Sequence, residues 1–193
     1  FIEEFFAGLS PKTKLIYISQ ITSTTGLIFP VKEICEVAKQ KGLMTFVDGA
    51  HTPGHIPLNL AELKADIYTG ACHKWMMTPK GSSFLYVKKE FQDLFDPLIV
   101  SWGYEALFPS DSKFLDYHQM QGTRDFSAFL TIQRSVEFMK QHNWTEVAKD
   151  VQKILAKLGV KSLEELRGRF DLLKRLPKRT DDEGKFYKGD RSD

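Results

Sequence analysis

Apolar positions along the chain fall into short runs whose spacing changes from one run to the next. "KLIYIS" (14–19) is a β-branched and aromatic run that closes on a polar residue, the mark of a strand. "VKEICEVAKQKG" (31–42) instead gathers Val31, Ile34, Cys35 and Ala38 on one helical face and stops at Gly42, and Pro30 suits the start of that helix. "LMTFVDGAH" (43–51) reads as a second strand, "LAELKA" (60–65) as a short helix, and "DIYTGA" (66–71) and "SSFLYV" (82–87) as two more strands. Strand, helix, strand, short helix, strand predicts an α/β fold with a mainly parallel sheet covered by helices. Beyond the loop "SWGYEALFPSDS", the spacing of Phe129, Ile132, Val136 and Met139 predicts a second amphipathic helix. No internal repeat is present.

Ligands of such sheets gather beyond the carboxyl ends of the strands, and here those ends carry the polar residues. "LMTFVD" closes on Asp48, followed by Gly49, Ala50 and His51. An acid ending an apolar strand is costly unless a cation or several donors satisfy it, so Asp48 is expected to meet a positive partner. "DIYTGA" leads to His73 and Lys74, and "YIS" leads to Gln20 and a run of hydroxyls from Thr22 to Thr25. Three neighbouring strand ends thus offer a carboxylate, an amine, two imidazoles, an amide and hydroxyls. Pyridoxal phosphate (PLP) requires this set: a lysine for an imine, a carboxylate for its pyridine nitrogen, a donor for its phenolic oxygen and donors for its phosphate. On that reading Lys74 is the catalytic amine, Asp48 pairs with the ring nitrogen, and Ala50 leaves room against the ring. His51 or Gln20 reaches the phenolic oxygen, and His73 serves the phosphate or the ring edge.

Three motif-bearing stretches carry a family resemblance: "ITSTTGLIFPVKEICEVAKQKGLMTFVDGAHTPG", "DIYTGACHKWMMTPKGSSFLYV" and "MQGTRDFSAFLTIQRSVEFMKQHNW". Together, over roughly residues 10 to 148, the chain resembles the class V aminotransferase family of PLP enzymes. The likeness is strongest to its isopenicillin-N-epimerase-like branch, which is related to cysteine desulfurases and selenocysteine lyases. The resemblance implies the fold type I large domain and a homodimer in which a Gly-Thr element, matched by Gly122 and Thr123, reaches the partner's cofactor phosphate. Departures from the family pattern are Ala71, where many desulfurases have a serine, and Gln20, where relatives often carry Asn or His. The family's first phosphate turn and its carboxylate-gripping arginine have no counterparts, which implies a partial chain truncated at both ends, with weak PLP retention. The activity implied is chemistry at the α-carbon of a small amino acid, epimerase-like. Alternatives are a desulfurase-like or selenocysteine lyase-like enzyme, or a non-catalytic remnant of the cofactor core.

Composition bounds the rest. The 193 residues are 42% hydrophobic and carry a net charge of +2, which argues for neither a nucleic-acid nor a membrane partner. No apolar run approaches the roughly 20 residues of a membrane span, and Phe1 to Ser10 lacks a secretion signal. Two cysteines are too few for a disulfide framework; the expectation is a cytoplasmic protein. Residues 151–193 hold 12 Lys/Arg against 8 Asp/Glu, leaving the body slightly negative, so a boundary near 150 separates a PLP-binding segment, 1–150, from a charged tail. The tail opens amphipathically (Val151, Ile154, Leu155, Leu158) and decays into "KRLPKRTDDEGKFYKGDRSD", for which mobility is expected.

Other chemistries are weaker. His51, His55 and His73 do not share a helical face, because "HTPGH" contains Pro and Gly, so no metal site is expected. Cys72 reads as a buried packing residue, His55 as a loop residue, and Trp75 with Met76 and Met77 as packing. Arg124 and Asp125 form either an interface pair or a solvated one.

Overall fold

The computed structural model describes residues 1–147, 149 and 150, which lie in the first of the two units into which the chain divides, Phe1–Val151. The amphipathic stretch and the mobile tail expected beyond residue 150 lie outside the described residues.

Four strands form one sheet among the described residues, in the order β1 (Leu15–Ser19), β2 (Met44–Asp48), β3 (Ile67–Ala71), β4 (Ser83–Val87). β1 and β2 run parallel with Ser19 opposite Asp48, and β2 and β3 run parallel with Asp48 opposite Thr69. Three carboxyl ends therefore sit side by side. β4 is antiparallel to β3. The stretch between them contains no helix and doubles back through tight turns, and a parallel partner would need a longer crossover.

α2 (Val31–Gln40) and α3 (Leu60–Leu63) are the crossovers that keep β1, β2 and β3 parallel. α2 buries the four residues its spacing selected, Val31, Ile34, Cys35 and Ala38. Val31 and Cys35 pack with Val47, Leu63, Ala65 and Tyr68, while Ile34 and Ala38 pack with Ile16. Each buried Val, Ile or Leu among them contributes roughly 1.5–3 kcal/mol by leaving water. Asn59 starts α3 by accepting from the backbone N–H groups of Ala61 and Glu62. α1 (Ile2–Ala7), not expected from the sequence, lays Ile2, Phe5 and Phe6 against the Ile16 cluster.

Among the described residues, apolar side chains stay exposed on part of the sheet. Leu15, Tyr17 and Leu85, which alternate with the buried positions, remain exposed.

The amino end of the sheet is locked by a polar cluster. Asp66 accepts from the Thr45 backbone N–H (2.8 Å), the Thr45 hydroxyl (3.0 Å) and Lys88 Nζ (2.6 Å), and the Thr45 hydroxyl accepts from the Asp66 N–H (3.0 Å). Lys88 also donates to the Lys64 carbonyl.

The predicted second amphipathic helix is two helices, α5 (Ser127–Leu130) and α6 (Ile132–Gln141), following α4 (Lys113–His118). They break at Thr131, whose hydroxyl turns back onto the Ala128 carbonyl and competes with the helix for it. No helix among the described residues is long and apolar enough to cross a membrane.

Candidate active site

Of the polar residues read from the strand ends, Lys74 and His51 are brought into direct side-chain contact, on the loops that follow β3 and β2. Lys74 follows β3 at the head of a turn closed by the Met77 N–H on the Lys74 carbonyl, with Met77 in the left-handed region (φ 60°). Its Nζ lies 2.9 Å from His51 Nε2, and both side chains are half-buried. His51 also receives the Trp75 indole N–H at Nδ1 (3.4 Å). Burial first, and the Lys74 charge second, hold the His51 imidazole below its ordinary range; His55 adds to this and Asp48 opposes it. His51 is consequently neutral at neutral pH.

Asp48 ends β2 without the cation expected for it: among the described residues no ion pair includes it. Its Oδ1 instead accepts the Ala50 N–H (2.9 Å) and its Oδ2 the Tyr17 hydroxyl (3.4 Å). Two neutral donors satisfy the carboxylate only in part, since it accepts about four hydrogen bonds. The sequence reading missed Tyr17, although its place two residues before Ser19 puts it on the same face as Asp48. Its phenol is held above the ordinary range, by desolvation first and then by the Asp48 charge and hydrogen bond.

Gln20 is buried beneath the site. Its Oε1 accepts both the Tyr68 hydroxyl (2.8 Å) and the Thr52 hydroxyl (3.1 Å), which fills that oxygen and leaves only the amide NH2 to donate. Burial drives the Tyr68 phenol up to about 12, so it stays a donor. The same hydroxyl explains Gly49. A Cβ there would sit 1.9 Å from Tyr68 Oη and 2.0 Å from its Cζ. Gly49→Ala is expected to displace the buried ring and cost about 1–3 kcal/mol, the usual penalty of overpacking. Equilibrium denaturation measures it, and a midpoint equal to that of the parent would refute the steric account.

His73 donates through Nδ1 to the Ser82 carbonyl (3.0 Å), which leaves Nε2 as its available nitrogen. The three histidines do not converge: His55 stacks on Trp75 (4.2 Å, 22°) and bonds the His51 carbonyl. Among the described residues no group of three or more His, Cys, Asp or Glu is placed to hold a metal ion. Cys72 is buried and its thiol is pushed up by burial, which makes it a packing residue.

Thr123 stands apart from this cluster. It is exposed, next to Gly122 (φ 98°), and among the described residues no hydrogen bond joins it to Lys74, His51 or Asp48. Arg124 does not pair with Asp125; it donates to Gln121 and lies over the rings of Phe126 and Phe129, while Asp125 accepts the Ser127 N–H.

Two further tethers, invisible in the local sequence, hold the His51 and Lys74 loops. Trp144 Nε1 donates to the Gly54 carbonyl (2.7 Å), and the Ser135 hydroxyl donates to the Met76 carbonyl. Both cross long stretches of chain from the α6 region.

Residues 2–179 match the family model of class-V aminotransferases. The chain is 36% identical over 145 residues to isopenicillin N epimerase of Streptomyces clavuligerus, covering 70% of this chain and 36% of that protein. It is 31% identical over 172 residues to a probable cysteine desulfurase of Halalkalibacterium halodurans, covering 86% and 41% of the two chains. The cysteine desulfurase CsdA of Escherichia coli superposes with a TM-score of 0.64 at 18% identity, over 81% of this chain and 41% of that one, a likeness of fold. The chain thus spans little more than a third of the length of the epimerase.

Proposed function

The chain belongs to the class-V aminotransferase family, whose members use pyridoxal phosphate on fold type I, and from that premise we propose that it carries the cofactor core of an enzyme acting at the α-carbon of an amino acid, in the manner of the epimerase it resembles. One observation supports the reading above the others: the Lys74 amine meets His51 Nε2 at 2.9 Å, one strand away from a carboxylate with acceptor capacity to spare. A surface lysine has no use for such a setting.

The donor set fits the cofactor. Lys74 would hold its aldehyde carbon, Asp48 its ring nitrogen, His51 its phenolic oxygen and His73 its phosphate or ring edge, with Ala50 offering only a methyl group against the ring. The Gln20 amide NH2 is the second candidate for the phenolic oxygen. Bound there, the cofactor supplies an electron sink that acidifies the Cα–H bond. Lys74 would move the proton at Cα, as base and then as acid. Thr123 acts from a second copy in a homodimer, which accords with its exposure and its separation from the Lys74 cluster. A desulfurase-like outcome begins with the same steps.

The reading is tested by treating the chain with pyridoxal phosphate and borohydride and mapping the modified peptides. Modification at residue 74 is expected. Labelling spread across other lysines, with residue 74 no more reactive than they are, would remove the basis for the proposal.

A further inference from the structure

Two loops carry the candidate site, and one helical region reaches both. The loop after β2 holds His51 and passes through Gly54; the turn after β3 holds Lys74 and passes through Met76. Trp144 Nε1 donates to the Gly54 carbonyl (2.7 Å), and the Ser135 hydroxyl donates to the Met76 carbonyl. The two donors belong to one continuous stretch. Ser135 lies in α6, and Trp144 follows its end past a turn in which Asn143 takes the left-handed conformation (φ 45°), with the Phe138 ring against the indole (6.2 Å).

Each bond grips backbone rather than a side chain, and each grips it close to a residue of the site. The loops also touch one another. A Cβ on Gly54 (φ 81°) would meet the Trp75 carbonyl oxygen at 2.7 Å and the Met76 nitrogen at 3.0 Å, and His55 stacks on Trp75 (4.2 Å) across the same gap. Backbone contact limits how closely the loops approach, not how far they part. The two hydrogen bonds supply that second limit, because both loops are tied to one third element and cannot separate without breaking a tie. The separation so fixed is the one the site depends on: Lys74 Nζ lies 2.9 Å from His51 Nε2, on the other loop. A lysine amine on its flexible stem is placed only as well as its backbone is held, and a misplacement of about 1 Å can cost a reaction about 10²-fold.

We propose that Ser135 and Trp144 are positioning residues: together they clamp the His51 loop and the Lys74 turn to the α6 region and so set the Lys74 amine against His51. The use of that placement, capture of pyridoxal phosphate by the amine, rests on the cofactor reading above.

The test is an NMR titration of the His51 imidazole in the cofactor-free chain, with Ser135→Ala and Trp144→benzothienylalanine as variants. The first removes only a hydroxyl, from a helix position that alanine favours. The second keeps the bicyclic ring and lacks the N–H. In the parent, burial first and the Lys74 charge second hold His51 below its ordinary range, with His55 adding to this and Asp48 opposing it. Loosening the clamp admits water and lets the Lys74 charge move away, so His51 should titrate at higher pH in both variants. Ser135→Thr, which restores the hydroxyl, should return the midpoint to the parental value. Borohydride capture of pyridoxal phosphate at residue 74 should fall about fivefold in each clamp variant, the worth of one ordinary hydrogen bond. Lys88→Met, which weakens the sheet at its far end, should leave the His51 midpoint in place. An equal shift there would tie His51 to general loosening and overturn the proposal, as would a parental midpoint in either folded clamp variant. Failure of the cofactor reading looks different: His51 still moves in both clamp variants, and borohydride does not mark residue 74 in the parent.

Discussion

Asp48→Asn is expected to leave covalent capture of pyridoxal phosphate at Lys74 intact while lowering Cα–H exchange of amino acids by about 10²–10³, the loss typical of removing one preorganised electrostatic contact. The substitution is nearly isosteric. An amide oxygen at position 48 still accepts the Ala50 N–H, so the 48–51 turn keeps its shape, and Lys74 keeps its His51 contact. What disappears is the charge. A neutral amide cannot hold a protonated pyridine nitrogen, and the electron sink weakens. Capture needs only the lysine amine, so the two readouts separate. A third is independent of the cofactor: Tyr17 loses the Asp48 charge and hydrogen bond that raise its phenol, so it should ionise at lower pH in the variant, by carbon-13 NMR of the tyrosine ring. Near-parental Cα exchange with the Tyr17 shift present would mean that another group holds the ring nitrogen.

The features legible in the sequence are those fixed by period and chain direction. The sequence groups Asp48, Gln20, His51 and Lys74 because the end of a strand is where an apolar run turns polar, and parallel neighbours put those ends on one edge. Packing by Val31, Ile34, Cys35 and Ala38 follows from helical spacing alone. What stayed hidden depends on distant partners or on side-chain direction. Gly49 looks like a turn glycine until the Tyr68 hydroxyl is found occupying the space of its Cβ. The hold on Asp48 comes from Tyr17 on the neighbouring strand rather than from a cation. Trp75 reads as packing because no pattern shows where an indole N–H points, and Ser135 and Trp144 act across long stretches of chain. α1 escaped notice because Phe1 gives it no side-chain cap and its six residues are too few for a clear period.

The largest loss of stability is expected not at the candidate site but at the opposite end of the same sheet, from Asp66→Ala. The Asp66 and Lys88 side chains are 14% and 20% exposed, and the carboxylate serves three donors drawn from β2 and from the end of β4. Removing it strands the Lys88 ammonium in partly buried surroundings and unpairs the Thr45 N–H beside the β2–β3 ladder. Breaking a buried pair from one side costs about 3–5 kcal/mol, and residual solvent access at Lys88 places the expectation at the lower end, about 3 kcal/mol. Lys88 keeps its bond to the Lys64 carbonyl, which softens the loss. Urea unfolding followed by circular dichroism measures it. Lys88→Met, which removes the cation but keeps an apolar stem, should cost less, because Asp66 retains both Thr45 donors. An Asp66→Ala loss below about 1 kcal/mol would place the pair in the class of solvated ion pairs and leave the sheet held by its apolar face alone.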